Sequence, residues 1–351
     1  MFFALRDLRS ARWRFVLITG VVLLLSVLVA GLLGLTAGLA NQSVSALRAL
    51  GSNNSDFVLP ADDKGPIDLD RAALTNEQIA DVRAESPSAV PVGIARVTLD
   101  NGTETGVSVV ALGLADEVGS VTPPAPGAVL LSAGVSDELG GNADQISVSG
   151  TQLTAAGDAG DLWHSHTPVV VTDLDTWATL APRGGTATAM AVPADTVSQN
   201  VASEGSGLTL VDSDGLVNAL PSHRAENTSL NTMTYMLIAV TALVVGAFFT
   251  VWGMQRRRDV AILKALGAST RAVVRDSVGQ AALVLVVGIT GGVAIAALVG
   301  LVAGGAVPFV VSANTTVVPA ALLAVLGLAG AAISLRPVVT ADPNSALGAA
   351  R

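Results

Sequence analysis

Charge is missing from four long stretches of this chain. Positions 15–40, 233–252, 280–303 and 317–335 contain no Asp, Glu, Lys or Arg. A helix crosses a bilayer with about 20 mostly apolar residues, so each stretch is predicted to be a transmembrane helix. Between the first and second runs, residues 41–232 change character: charges return and short apolar runs alternate with Gly, Asn, Asp and Pro. The pattern predicts a membrane protein of four transmembrane α-helices with one large α+β domain between the first and second.

Within residues 41–232 the pattern is legible element by element. "NQSVSALRALGSNNSDF" continues the first span as a helix that Gly51 and the Ser/Asn cluster end. "VGIARVTLDNGTETGVSVVAL" alternates on both sides of Asp100-Asn101-Gly102 and predicts a hairpin. "DQISVSGTQLTAAG" predicts another, and "TPVVVTDLDTWATLA" a strand entering a helix capped near Asp173. "TATAMAVPADT" reads as a strand, and "VDSDGLVNALPSHRAENTSLNTMTYM" as helix leading back into the membrane. Asp158, Asp161, Asp212 and Asp214 read as turn residues, and no catalytic constellation is present.

Charge sets the expected orientation. Residues 1–14, 253–279 and 336–351 together carry 12 bases against 4 acids, a balance of +8; residues 41–232 carry 7 bases against 24 acids, −17. Basic residues stay in the cytoplasm beside short loops, so both termini are expected inside a cell membrane and residues 41–232 outside. The apolar run of the first span is about 25 residues against about 7–15 for a signal-peptide core, which favours a retained anchor. With no cysteine, the outer domain has no disulfides and depends on its own core. Its acidic surface suits solubility outside the cell and gives no footprint for nucleic acid.

Residues 1–14 place Phe2, Leu5 and Leu8 on one helical face and Arg6, Arg9 and Arg12 toward another. They read either as an amphipathic helix on the inner leaflet or as flanking charge for the first span. Small residues recur every four positions at Ala30, Gly34 and Gly38, and at Gly288, Gly292, Ala296, Gly300 and Gly304. Such stripes let helix backbones approach closely in lipid, within one chain or between two copies.

After the second span comes "RRRDVAILKALGAST", residues 256–270. The arginines can snorkel at headgroups and end the span. Val260, Leu263 and Leu266 are spaced by three with Ile262 beside them; Asp259 suits the first turn of a short helix and Gly267 its end. Ser269 or Thr270 can cap the next helix. The apolar face either dips into lipid or meets another chain.

This run resembles the cytoplasmic coupling helix of MacB/FtsX-type permeases of ABC transporters: Arg258 and Asp259, then Ile262, Leu263, Lys264, Ala265, Leu266, Gly267, Ala268 and Ser269. The layout of one span, a large outer domain and three further spans is similar to that family, as is the tail "RPVVTADPNSAL", where Asp342 and Pro343 suit a helix start. The resemblance implies a homodimer on two copies of a separate ABC ATPase, which would bind ATP and Mg²⁺ and push on residues 260–267. The chain holds no GxxxxGK[ST] loop and no cofactor of its own is expected. The compact plan and "ALRDLRSARWRF" most resemble the HrtB-type heme exporters. Export of another lipophilic compound or a lipoprotein, or FtsX-like mechanical regulation of a cell-wall hydrolase, is the alternative.

Heme is a flat apolar ring with two carboxylates, whose iron accepts His, Met or Tyr. His223, Arg224, Met233, Tyr235 (the only tyrosine) and Met236 fall near the outer end of the second span, and Arg48 lies on the extension of the first. Tyr235, Met233, Met236 and His223 are candidate ligands, with Arg48 and Arg224 facing propionates. The alternative makes Tyr235 an aromatic-belt residue and the methionines packing. "WHSH", with His164 and His166, reads as two imidazoles on one strand face or as a solvated loop. No metal site is expected there, because no third ligand is evident.

Overall fold

The computed structural model describes residues 12–61, 67–100, 106–141, 144–181, 186–194, 206–265, 268–303 and 307–339, without the side chains of 12, 14, 256–265 and 334–339. The segment 1–11, the turn at Asn101-Gly102, Gly304 and the tail from 340 lie outside these residues. Two compact units result: Met1–Gly38 with Ser229–Arg351, and Leu39–Thr228.

Four long helices, Arg12–Leu50, Pro221–Ala265, Thr270–Ala303 and Ala313–Val339, contain the four charge-free runs. All four are long and apolar enough to cross a membrane. Their shared core in the first unit joins Phe15, Ile18 and Val22 to Val245, Phe249, Leu285 and Leu323. The Trp252 ring lies 5.9 Å from Phe15 and 5.8 Å from Phe249. Leu24, Leu28, Leu243, Leu298 and Val302 stand exposed, as lipid-facing positions do. Two polar groups inside the bundle bond locally: Ser26 Oγ donates to the Val22 carbonyl at 2.7 Å, and buried Gln280 donates to Asp276 at 3.0 Å.

Both glycine stripes lie in seams within this one chain. A Cβ on Gly292 would stand 2.5 Å from the Leu23 carbonyl oxygen, and one on Gly288 would stand 2.7 Å from a Val22 methyl. First and third helices therefore touch backbone to backbone. Gly34 and Gly300 both lie under the ring of Phe309, and Gly38 lies against the Pro308 carbonyl. The Val310 N–H donates to the Gly34 carbonyl at 3.1 Å, fixing that loop on the first helix.

Among the described residues the second unit is built on ten strands: β1 (Ser55–Pro60), β2 (Val90–Asp100), β3 (Val107–Leu114), β4 (Ala128–Ser132), β5 (Gln145–Val148), β6 (Thr151–Gly160), β7 (Trp163–His164), β8 (Thr167–Asp173), β9 (Ala189–Pro193) and β10 (Leu208–Val211). Their order is β10-β1-β9-β2-β3-β8-β4-β6-β5, with β7 on β8. Strand β2 pairs with β9 near its start and with β5 at Leu99 and Asp100. That last pairing closes β2-β3-β8-β4-β6-β5 into a ring. Leu99, Val109, Val129, Ile146 and Val170 fill it together with Trp177. Gly93 and Gly113 face each other across β2 and β3, and the Trp177 ring rests where their side chains would be. The β2–β3 and β5–β6 hairpins, the β8 strand-to-helix passage and the β9 strand lie where the alternation places them.

Asp173 caps helix Leu174–Leu180 by accepting from the Asp175 and Thr176 N–H groups at 3.1 and 3.0 Å. Burial opposes its ionisation. The hydrogen bonds from Thr176, Gly127 and Asp175 together outweigh this, so its carboxyl lies below the ordinary aspartate value. Asp158 and Asp212 likewise accept from nearby backbone N–H groups, as turn and cap residues.

Candidate functional site

The segment expected to couple to an ATPase is not a separate helix. Helix Pro221–Ala265 runs unbroken through Arg256, Arg257 and Arg258, which follow the end of the candidate span Pro221–Gln255 but do not end the helix. Between Met254 and Ala265 there is neither Gly nor Pro, and Met, Gln, Arg, Ala, Leu and Lys favour continuation. Arg258, Asp259, Val260, Ile262, Leu263 and Lys264 are its last turns, and Leu266 and Gly267 lie outside the described residues. The next helix starts at Thr270 with Ser269 as cap, its Oγ accepting from the Ala272 N–H at 3.3 Å. The expected loop 253–279 is thus two helices joined by residues 266–269.

Helix geometry divides the heme candidates. Met233 (58% exposed), Tyr235 (70%) and Met236 (70%) all project outward from the first unit. At about 100° per residue, Met233 and Met236 share a face, while Tyr235 lies about 160° from Met233 around the helix. One copy of this helix cannot offer Tyr235 and Met233 to the same iron. His223, Arg48 and Arg224 belong to the second unit. His223 is buried there and interacts electrostatically with Arg48, Glu226 and His166. Arg48 is exposed and Arg224 half-buried.

The two histidines of "WHSH" do not converge, because only Trp163 and His164 are strand. Ser165 and His166 form a tight turn with φ of 51° and 58°, which sends the second imidazole elsewhere. His164 is buried, with Nε2 3.3 Å from Asp70 Oδ1. His166 pairs with Glu226 at 3.0 Å. Neither is a loosely solvated loop residue. No group of three metal-ligating side chains occurs among the described residues. The weak sequence signal for this turn was its lack of glycine, since non-glycine residues seldom adopt positive φ.

Four membrane-length helices with a sheet-rich unit inserted after the first define a multi-pass membrane protein. Residues 231–343 match the FtsX-like permease C-terminal family. Over nearly its whole length it is similar to a protein of Staphylococcus haemolyticus named as the hemin transport system permease HrtB. The two are 23% identical over 365 residues, 98% of each chain. An HrtB of Staphylococcus epidermidis is 22% identical over 359 residues, again 98% of each. The solved periplasmic region of MacB from Actinobacillus actinomycetemcomitans overlaps 50% of this chain and 95% of its own at 13% identity and a TM-score of 0.35, below the level that carries a shared fold.

Proposed function

We propose that this chain is the permease subunit of an ABC-type efflux system that moves a hydrophobic substrate, hemin first among them, out of the cell membrane. The observation that carries the reading is similarity to HrtB permeases along the full length of both chains, not only through the permease domain. In this reading both termini and residues 253–279 face the cytoplasm, where two copies of a separate ATPase bind two copies of this chain. ATP and Mg²⁺ stay with that partner. The end of helix Pro221–Ala265 takes up the ATPase motion, and the uninterrupted helix carries it toward the outer unit as a switch between two packings. Spans without ionisable groups suit a substrate that starts in lipid rather than a polar channel.

Tyr235 is the candidate iron ligand, exposed on the membrane unit. Met233 could serve the same iron only from the second copy. Hemin titrated into the purified chain with its ATPase should shift the Soret band and stimulate ATP hydrolysis. Tyr235→Ala should weaken binding about tenfold or more, the loss of at least about 1.4 kcal/mol. A titration with neither response removes hemin as cargo, and undiminished binding by Tyr235→Ala removes the site.

The match to the FtsX-like family supports a second reading, in which the outer unit regulates a cell-wall hydrolase and no cargo moves. ATP hydrolysis indifferent to hemin but stimulated by such a hydrolase would favour it.

A further inference from the structure

Two non-glycine residues in the left-handed region, side by side, mark a turn that its surroundings impose. Ser165 and His166 close the β7–β8 hairpin, in which Trp163 faces Pro168 and His164 faces Thr167. A two-residue turn with both φ positive ordinarily uses Asn-Gly. Strained positions persist where contacts over-determine them, and here the contacts fall on two different helices.

Toward the first long helix, the Ser165 N–H donates to the Ser43 carbonyl at 2.8 Å and the His166 N–H to the Gln42 carbonyl at 2.9 Å. The Trp163 N–H donates to Ser45 Oγ at 2.8 Å, and Asn41 donates to Asp161 at 3.4 Å. Carbonyls inside a helix can take these second bonds because each oxygen has two lone pairs. Toward the second long helix, Ser165 Oγ lies 3.1 Å from Ser222 Oγ, and His166 Nε2 lies 3.0 and 3.1 Å from the Glu226 carboxylate. Ser222 and Glu226 are four residues apart, one face of that helix.

The other end of the turn is anchored in the sheet. Strand β8 is buried from Thr167 to Thr172 and lies between β3 and β4. The Trp163 ring packs on Gly134 and Pro168, and its Nε1 donates to Asp161 at 2.5 Å.

We propose that residues 163–166 form a clasp that locks both stalk helices, at 41–45 and 222–226, to the central strand β8, so that the three move as one body during each transport cycle. The clasp rests on the permease reading above. Its role is to pass helix motion to the sheet without loss, and it stays closed throughout.

The chain has no cysteine, so Ser165→Cys with Ser222→Cys gives a cross-link unique within it. In the full chain with its ATPase in proteoliposomes, the oxidised pair should hydrolyse ATP and release hemin at rates close to those of the reduced pair. A large, reductant-reversible fall would show that the clasp must open and would overturn the proposal. Ser45→Ala with His166→Ala should keep hydrolysis and lower hemin release at least about fivefold, the low end of typical coupling between sites; unchanged release also overturns it. If the unmodified complex neither burns ATP nor releases hemin, it is the permease reading that fails. Hydrogen exchange then judges the clasp: the double variant should lose protection at 41–46 and 222–226, and unchanged protection refutes it.

Discussion

Leu263→Glu should release the ATPase from this chain while leaving membrane insertion intact. By sequence spacing Val260 and Leu263 share one face at the end of helix Pro221–Ala265. A carboxylate at the centre of an apolar contact is desolvated without a partner, and an anchor residue of this kind carries about 2 kcal/mol or more, roughly thirtyfold in affinity. Pull-down of the tagged variant from membranes reads the outcome directly. Retention of the ATPase at the level of the unmodified chain would assign the face to lipid instead. Because the helix is continuous, the same substitution should not shorten or unseat the second span.

Gly292→Ala should destabilise the membrane unit, and Gly31→Ala should not. Alanine improves helix propensity over glycine by about 1 kcal/mol at either position, so propensity cannot separate them. Packing can. The added methyl at Gly292 would meet the Leu23 carbonyl oxygen at 2.5 Å and Ser26 Cβ at 2.6 Å, whereas nothing lies within 4 Å of the corresponding position at Gly31. Backbone atoms in the first helix cannot rotate away, so the two helices must part, and overpacking of this kind costs about 1–3 kcal/mol. The thermal midpoint of the detergent-solubilised protein should fall for Gly292→Ala and hold for Gly31→Ala. Equal midpoints would place the seam elsewhere.

The spans were legible because lipid imposes a simple code: long runs, no charge. The glycine stripes were legible as seams, but not which surface they met, since close approach leaves the same signature within a chain and between chains. Phe309, which covers both Gly34 and Gly300, gave no signal of its own in the sequence. In the second unit, hairpins and caps were readable because their partners are neighbours along the chain. The β2–β5 pairing and the parallel β3–β8 and β4–β6 pairs depend on distant residues and left no local trace. The histidine turn was misread for a related reason: its positive φ angles are imposed by bonds to Gln42 and Ser43, more than a hundred residues earlier. The heme candidates were grouped by nearness in sequence, and helix geometry then set Tyr235 and Met233 on opposite sides.

Force entering at the end of helix Pro221–Ala265 requires that end to face the cytoplasm. Lys264→Cys gives one thiol in an otherwise cysteine-free chain, and a membrane-impermeant maleimide applied to intact cells, then to permeabilised ones, locates it. Labelling only after permeabilisation is the predicted result; labelling of intact cells would put the segment on the wrong side of the membrane for any ATPase and would contradict the mechanism.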